Sequence, residues 1–207
     1  MNYQLKKNSN VYIGYNRRFY QSVEKCRDII GDSNPKSLHF EFTEWIHKID
    51  FNHYNKSELE KFFLCNSSHV SDLVFHLFGK PKCLNSYVSG GLDWHPSSSV
   101  FSGSGKTVND VLFSYNSNWS SAGRWGVEIN LSDFKLILKP LEKLFIQKKG
   151  CLDVEEIKID NDLDNLFKPG LYNQVKNFLY GDKKHLCSLD EQIQNFKWYY
   201  KIANYKE

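Results

Sequence analysis

The sequence predicts an α+β domain, with one mainly antiparallel open sheet and helices packed on one face. Three observations carry this. Strand-like runs follow one another from Cys83 to Lys139 with no helical pattern between them. Helical patterns cluster before and after that block. The turns between strands are short and rich in Gly, Ser and Asn, as hairpins require, so alternating βαβ units are not the reading.

Composition bounds the rest. With 207 residues the chain has room for one good-sized domain or two small ones. Apolar content of 41% and charged content of 25% are ordinary for a globular protein. A net charge of +3 with scattered lysines gives no footprint for nucleic acid. No run approaches the roughly 18 apolar residues of a membrane span, and the first residues do not read as a signal peptide. The five cysteines (26, 65, 83, 151 and 187) are odd in number and widely spaced, as reduced thiols of a cytoplasmic protein would be. Aromatic content of 15% suits a sheet with an exposed aromatic face, and hence a homo-oligomer through that face, or a sugar-binding surface.

In chain order, residues 11–15 form a short strand with no partner before it. Residues 16–30 lead into a helix with Phe19, Val23, Cys26 and Ile30 on one side, and 31–35 are a turn. Residues 37–45 alternate Leu38, Phe40 and Phe42 against His39, Glu41 and Thr43, a half-buried strand. A polar loop and a helical turn over 57–63 follow. Beyond Gly79, strands are expected over 83–89, 100–103, 111–116, 125–131, 134–139 and 154–159. Turns fall at 90–91, 103–109, 118–123 and 132–133. A helix over 171–180 turns Val175, Phe178 and Leu179 inward, and a helix over 188–203 opens with the capping box Ser188-Leu-Asp-Glu191.

The stretch 65–79 is the centre of the chain. At about 100° per residue, Cys65, His69, Asp72 and His76 share a polar arc, opposite Val70, Leu73, Val74, Leu77 and Phe78. Asn66, Ser67 or Ser68 caps its start, and Gly79 with Pro81 ends it. The polar face fits a solvated surface, a metal held by Cys65 and His69, or proton transfer by His69. No second ligand cluster follows at the usual metal spacing. Residues 103–107, Gly-Ser-Gly-Lys-Thr, resemble the end of a phosphate loop, but Val100 stands where the motif needs Gly and a strand follows. They read as a hairpin loop.

Several stretches together resemble the C-terminal half of the glucose-fructose oxidoreductase / inositol dehydrogenase (Gfo/Idh/MocA) family, nearest to members of polysaccharide biosynthesis. They are Val11-Tyr-Ile-Gly-Tyr-Asn-Arg-Arg-Phe19, Phe40-Glu-Phe-Thr-Glu-Trp45, Asn66-Ser-Ser-His-Val-Ser-Asp72, Asn118-Trp-Ser-Ser-Ala-Gly-Arg-Trp125, Leu138-Lys-Pro-Leu-Glu-Lys-Leu144 and Lys168-Pro-Gly-Leu-Tyr172. Their order and spacing cover nearly the whole chain.

The resemblance implies that residues 1–15 are the end of a dinucleotide-binding domain and that 16–207 form the substrate-binding and oligomerisation domain. The chain has no G-x-G-x-x-G and no Glu-Lys-Pro. NAD(P) would therefore belong to a domain this chain lacks, with no cofactor held by the chain alone. The implied catalytic acid/base is His69, with Cys65 where many members carry Asp. The implied substrate contacts are Arg17, Arg18, Asn66, Asp72, Trp119, Arg124 and Lys168. The implied partners are a sugar or nucleotide sugar, a second copy of the chain and a separate dinucleotide-binding chain. A non-catalytic sugar-binding or oligomerisation module is the alternative.

Overall fold

Strand alternation decides which side chains reach the core, and the observed sheet follows it. The computed structural model describes residues 10–33 and 35–206; of the expected end of a dinucleotide-binding domain over 1–15, residues 1–9 lie outside them. In order come β1 (Tyr12–Ile13), a 3₁₀ turn (Asn16–Phe19), α1 (Gln21–Ile30) and β2 (Ser37–Glu41). Two 3₁₀ turns, Ile46–Lys48 and Phe51–His53, precede α2 (Lys56–Glu60). A π-helical turn (Phe63–Ser67) enters α3 (Ser68–Phe78). Then come β3 (Pro81–Ser89), β4 (Val100–Thr107), β5 (Leu112–Asn118), β6 (Gly126–Asn130), β7 (Phe134–Leu138), β8 (Phe145–Lys148) and β9 (Glu155–Glu156). The chain ends in α4 (Asp162–Leu166), α5 (Leu171–Leu179), β10 (Cys187–Ser188) and α6 (Leu189–Ala203).

The sheet is open, in the order β3-β4-β5-β2-β6-β7-β8-β9, and is antiparallel throughout except for the β2–β5 pair. Its inner face carries Leu38, Phe40, Phe101, Phe113, Tyr115, Val127, Ile129, Leu136 and Leu138, all buried. Helices α1, α3 and α6 lie over it, touching β7, β2 and β3 respectively. The aromatic rings interlock: Phe40 lies 5.3 Å from Tyr115, and Phe42 5.2 Å edge-on to Phe63. Each such pair adds about 0.5–1.5 kcal/mol to its area burial.

The outer face corrects an expectation. It is lined not by aromatics but by Asn85, Ser102, Ser104, Ser114, Asn116, Glu128 and Asn130, with Tyr87 the exposed ring among them. The aromatics went to the core because every ring on β2, β4 and β5 sits at an inward position of the alternation. Residues 103–107 are also corrected, from hairpin loop to the interior of β4, with the turn at 108–110. Gly103 and Gly105 point inward, where a Cβ would overlap the rings of Tyr115 and Phe113. The glycines make room for aromatics across the pair.

Other differences have local causes. β1 is not unpartnered: it pairs antiparallel with β10, Tyr12 opposite Ser188. β8 was not expected, because Phe145-Ile146 shows no alternation, and the strand expected over 154–159 shrinks to two residues. Ser188 accepts from the Glu191 amide at 3.1 Å, but the Glu191 carboxylate does not complete the capping box. α5 does not bury its apolar stripe: Val175, Phe178 and Leu179 are 46%, 47% and 53% exposed. That helix rests against the 16–19 turn rather than on the sheet.

The Glu191 carboxylate goes to Arg18. Arg18 is fully buried, donates from Nε and Nη2 to the two oxygens of Asp72 at 2.8 and 2.5 Å, and reaches both oxygens of Glu191 at 2.7 and 3.3 Å. Tyr199 adds a hydroxyl 3.5 Å from Asp72. Arg18 and Asp72, expected as substrate contacts, pair in this structure as a strut joining the 16–19 turn, α3 and α6. Arg18→Met should lower unfolding free energy by about 3–5 kcal/mol, since it strands a buried carboxylate. The double variant Arg18→Met/Asp72→Leu should lose much less. Urea unfolding of the two variants checks this, and equal losses would contradict a coupled pair.

Candidate functional site

The π-turn shapes the site before any side chain is considered. An α-helix from Cys65 would stack Cys65 on His69. The wider turn over Phe63–Ser67 breaks that register, leaving Cys65 exposed with its thiol toward the Glu58 carbonyl at 3.8 Å. The expected caps are not caps either. No side chain caps α3 at its start; Asn66 Nδ2 and Ser67 Oγ instead donate to Glu44 at 2.9 and 2.5 Å, and Ser68 Oγ donates to the Leu64 carbonyl.

Glu44 is the residue that sequence reasoning missed. It is 4% exposed, and Trp125 Nε1 donates to it at 3.2 Å, beside Ser67 and Asn66. Burial pushes its carboxyl up to about 7, against the pull of Ser67, Arg124, Trp125 and Asn66. The signal was present in Phe40-Glu-Phe-Thr-Glu-Trp45: the alternation over 37–45 puts Glu44 on the inward side with Leu38, Phe40 and Phe42, a carboxylate that needs buried donors.

His69 stands next to this group. Its ring is edge-on to Tyr15 at 4.9 Å and stacked on Trp125 at 6.2 Å. Its Nδ1 is buried and makes no hydrogen bond. Burial, then the nearby positive charges of Arg17 and Lys168, depress it to about 3. At neutral pH it is an uncharged imidazole, a ready acceptor. Tyr15, itself pushed up to about 12 mainly by burial, is held by Ser68 and Gln192 and is a neutral wall.

From His69 outward runs a ladder of cations and tryptophans. The Arg17 guanidinium lies 4.8 Å from the Trp125 ring centroid, Arg124 lies 5.0 Å from Trp125 and 4.7 Å from Trp45, and Lys48 lies 4.7 Å from Trp45. Arg17 is fixed by Asn16 at 2.6 Å, and its Nε is buried without a partner. Arg124, one of the implied substrate contacts, is therefore a guanidinium between two indoles, Trp45 and Trp125. Trp119, expected beside it, is instead core: it is 1% exposed, donates to the Phe42 carbonyl, and packs on His95 and Phe101. Arg124, Trp45, Asn66 and Glu44 line a cleft of about 360 Å³. Lys168 is exposed, and its charge is felt at His69. Asn16 holds its loop through the Pro169 carbonyl at 2.8 Å, and Gly170 supplies a positive φ of 70° against the Asn16 backbone.

The structure thus brings together His69, Arg17, Arg124, Asn66 and Lys168, and sets Arg18, Asp72 and Trp119 behind them. A neutral imidazole beside guanidinium groups and indole faces can take a hydroxyl proton, stack a sugar ring and pair an anionic group. Among the described residues the grouped metal-binding side chains are Asp72, Cys187 and Glu191, and Arg18 occupies that cluster. Among the described residues no strand passes through a Gly-rich turn into a helix N-terminus, the cradle a dinucleotide's pyrophosphate takes.

No protein-family model matches the chain, and no curated protein matches it by sequence. Solved structures do match. UDP-N-acetylglucosamine 3-dehydrogenase GnnA from Acidithiobacillus ferrooxidans superposes with a TM-score of 0.69 at 12% identity, over 98% of this chain and 63% of that one. An inositol dehydrogenase homolog from Azotobacter vinelandii, solved with NAD+, gives 0.70 at 13%, over 97% and 64%. An oxidoreductase from Thermotoga maritima gives 0.71 at 12%, over 97% and 61%.

The raised Glu44 carboxyl gives a test. Its native value of about 7 exceeds its ordinary 4.5, so across that window the folded state holds a proton the unfolded chain has released. The contribution of Glu44 should fall as pH rises from 4.5 to 7 and level off above, while His69 and His76, held neutral by burial, act in the opposite sense below 6.5, so the difference between wild type and variant isolates it. Relative to wild type, Glu44→Gln should gain about 3 kcal/mol over the same window. Urea midpoints taken between pH 4 and 8 read this directly.

At this level of identity the likeness is one of fold, and that fold, shared with Gfo/Idh/MocA-type oxidoreductases over about 63% of their length, is the one this chain has.

Proposed function

We propose that the chain is the substrate-binding domain of an NAD(P)-dependent sugar or nucleotide-sugar oxidoreductase, with residues 1–15 the end of a dinucleotide-binding domain and 16–207 the substrate and oligomerisation domain. One observation carries the reading: the neutral, unpartnered His69 sits at the head of the Arg17–Trp125–Arg124–Trp45 ladder. The fold likeness, which includes a UDP-N-acetylglucosamine dehydrogenase and an inositol dehydrogenase homolog, supports the substrate class.

In this reading the sugar ring lies against Trp125 or Trp45. Arg17, Arg124 and Lys168 pair its anionic part, and Asn66 hydrogen-bonds its hydroxyls. His69 takes the proton of the hydroxyl being oxidised. Its depressed value makes it a weak base in the empty site; an anionic substrate that neutralises Arg17 and Lys168 raises it toward its working range. The redox step needs a nicotinamide held against the sugar carbon, which a second domain supplies.

A second reading has one observation in its favour. With Cys65 turned away from His69, no carboxylate orients the imidazole, as a non-catalytic sugar-binding module would permit. Self-association through the polar outer face of the sheet belongs to either reading, and a monomer in micromolar sedimentation would remove it.

Tryptophan fluorescence separates the possibilities. UDP-N-acetylglucosamine should quench Trp45 and Trp125 emission, and Arg124→Gln should weaken its binding about tenfold or more. His69→Ala should leave that binding within about threefold and abolish turnover wherever a dinucleotide-binding domain restores it. The purified chain with NAD+ or NADP+ alone should turn over nothing. No quenching by UDP, UDP-N-acetylglucosamine or myo-inositol at millimolar concentration would sink the substrate class.

A further inference from the structure

The end of α3 away from His69 opens on a second cavity. His76 lies seven residues on from His69, about 10 Å along the helix axis, so this place is separate from the candidate site. The cavity holds about 530 Å³, within the roughly 300–1,000 Å³ of small-molecule sites. Its walls come from three stretches. Arg27 stands near the end of α1, His76 and Leu77 near the end of α3, and Lys184, His185 and Glu191 on either side of β10. His76 Nε2 and His185 Nδ1 meet at 3.0 Å. Each neutral ring carries one N–H, and the pair uses one of the two, which leaves the other free to donate.

The charge of this cavity is one-sided. Arg27 Nη1 is buried with no hydrogen-bond partner, and Nη2 stands 3.9 Å from Glu24, at the outer limit of an ion pair. Lys184 is exposed, and the nearest acid in sequence, Asp182, accepts from the Lys184 amide at 2.8 Å. Glu191 faces the cavity, but Arg18 holds both its oxygens. The uncommitted charges are therefore Arg27 and Lys184, both positive. The imidazoles register the excess: after burial, Arg18, Arg27 and Lys184 push His76 well below its ordinary range, and Arg27 and Lys184 push His185 down. The two helix ends do not cancel it. The Gly31 and Gly79 amides occupy the Arg27 and Phe75 carbonyls at 2.8 and 2.9 Å, and a bare helix end weighs only about half a charge. A metal ion fits less well than an anion. Two nitrogens converge, no third ligand atom joins them among the described residues, and two cations stand beside them.

We propose that this cavity binds the phosphate group of a small molecule, with Arg27 and Lys184 as counter-charges and the His76–His185 pair as a hydrogen-bond donor. The Arg27 guanidinium offers the paired N–H groups that a phosphate takes. Leu77 and Phe78 give an apolar wall for the rest of the molecule, so a phosphorylated metabolite suits the volume better than the bare ion. The site does not depend on the oxidoreductase reading. It also touches the strut: the His185 carbonyl accepts from Arg18 at 3.5 Å, and Glu191 is the second carboxylate on Arg18. A ligand here would bear on the group that holds the 16–19 turn.

The test uses the full chain with its histidines labelled for imidazole NMR, at constant ionic strength so that screening does not change. Inorganic phosphate should shift the His76 and His185 ring signals saturably at millimolar concentration. Arg27→Gln should weaken that binding about tenfold or more. Circular dichroism checks that this half-buried position still folds. Lys184→Gln, at an exposed position, should weaken it about threefold or more. Glucose 6-phosphate is the second probe. Binding tighter than inorganic phosphate supports a phosphorylated metabolite, and equal binding supports the free ion in the same site. If millimolar phosphate moves neither ring, or moves both equally in wild type and in the two variants, the inference fails. It fails too if the His69 ring alone responds, which would put the anion in the candidate site. It fails again if zinc chloride shifts His76 and His185 while phosphate does not, which would make this a cation site.

Discussion

The fold hangs on the Arg18 guanidinium. It lies where the 16–19 turn, α3 and α6 converge, sealed between two carboxylates. Four of its hydrogen bonds go to Asp72 and Glu191, and a fifth, at 3.5 Å, reaches the His185 carbonyl just before β10. A buried charge is tolerated only when fully partnered, so these elements cannot shift independently. Because Arg17 is the next residue, the strut also sets where its neighbour emerges. The cation over Trp125 is aimed by the cation behind it.

This arrangement separates support from chemistry along a single helix. Asp72 faces the strut, and His69, three residues earlier, faces the aromatic wall. Val70, Leu73 and Val74 fill the core between helix and sheet. Glu44 does for the loop after β2 what Arg18 does for the helices: a buried carboxyl collects donors from Asn66, Ser67 and Trp125, so the floor under His69 and the ladder beside it are held by one group. The two buried ionisable groups act on different parts of the same site: Glu44 lines its cleft, and Arg18 stands behind it.

Much of this was legible in the sequence. Alternation gave the inner face of β2, β6 and β7, and the Ser132-Asp133 hairpin needed only its turn residues. His69 at the centre and Arg124 among tryptophans were also readable. What was not legible depends on tertiary geometry. Asp72 looks like a surface carboxylate until Arg18, 54 positions away, is brought to it. Glu44 falls on the inward side of the alternation over 37–45, but its donors Asn66, Ser67 and Trp125 come from distant stretches. The π-turn is invisible to a 100° wheel, so counting four residues back from His69 reaches Cys65, although the backbone has by then moved out of α register. The stripe of α5 reads as an inward face because periodicity reports amphipathicity and not what lies opposite.

The two ends of the sheet carry a consequence of their own. One edge is β9, two residues long and made of Glu155 and Glu156; the other is β3, which carries Lys82 and an irregularity between Pro81 and Cys83. A short acidic strand and a bulged strand with a lysine are poor templates for a foreign strand. An eight-stranded open sheet with long clean edges would grow into ribbons. This one stops itself at both margins, so the chain can keep a broad, hydroxyl-rich sheet in water without becoming a seed for fibrils.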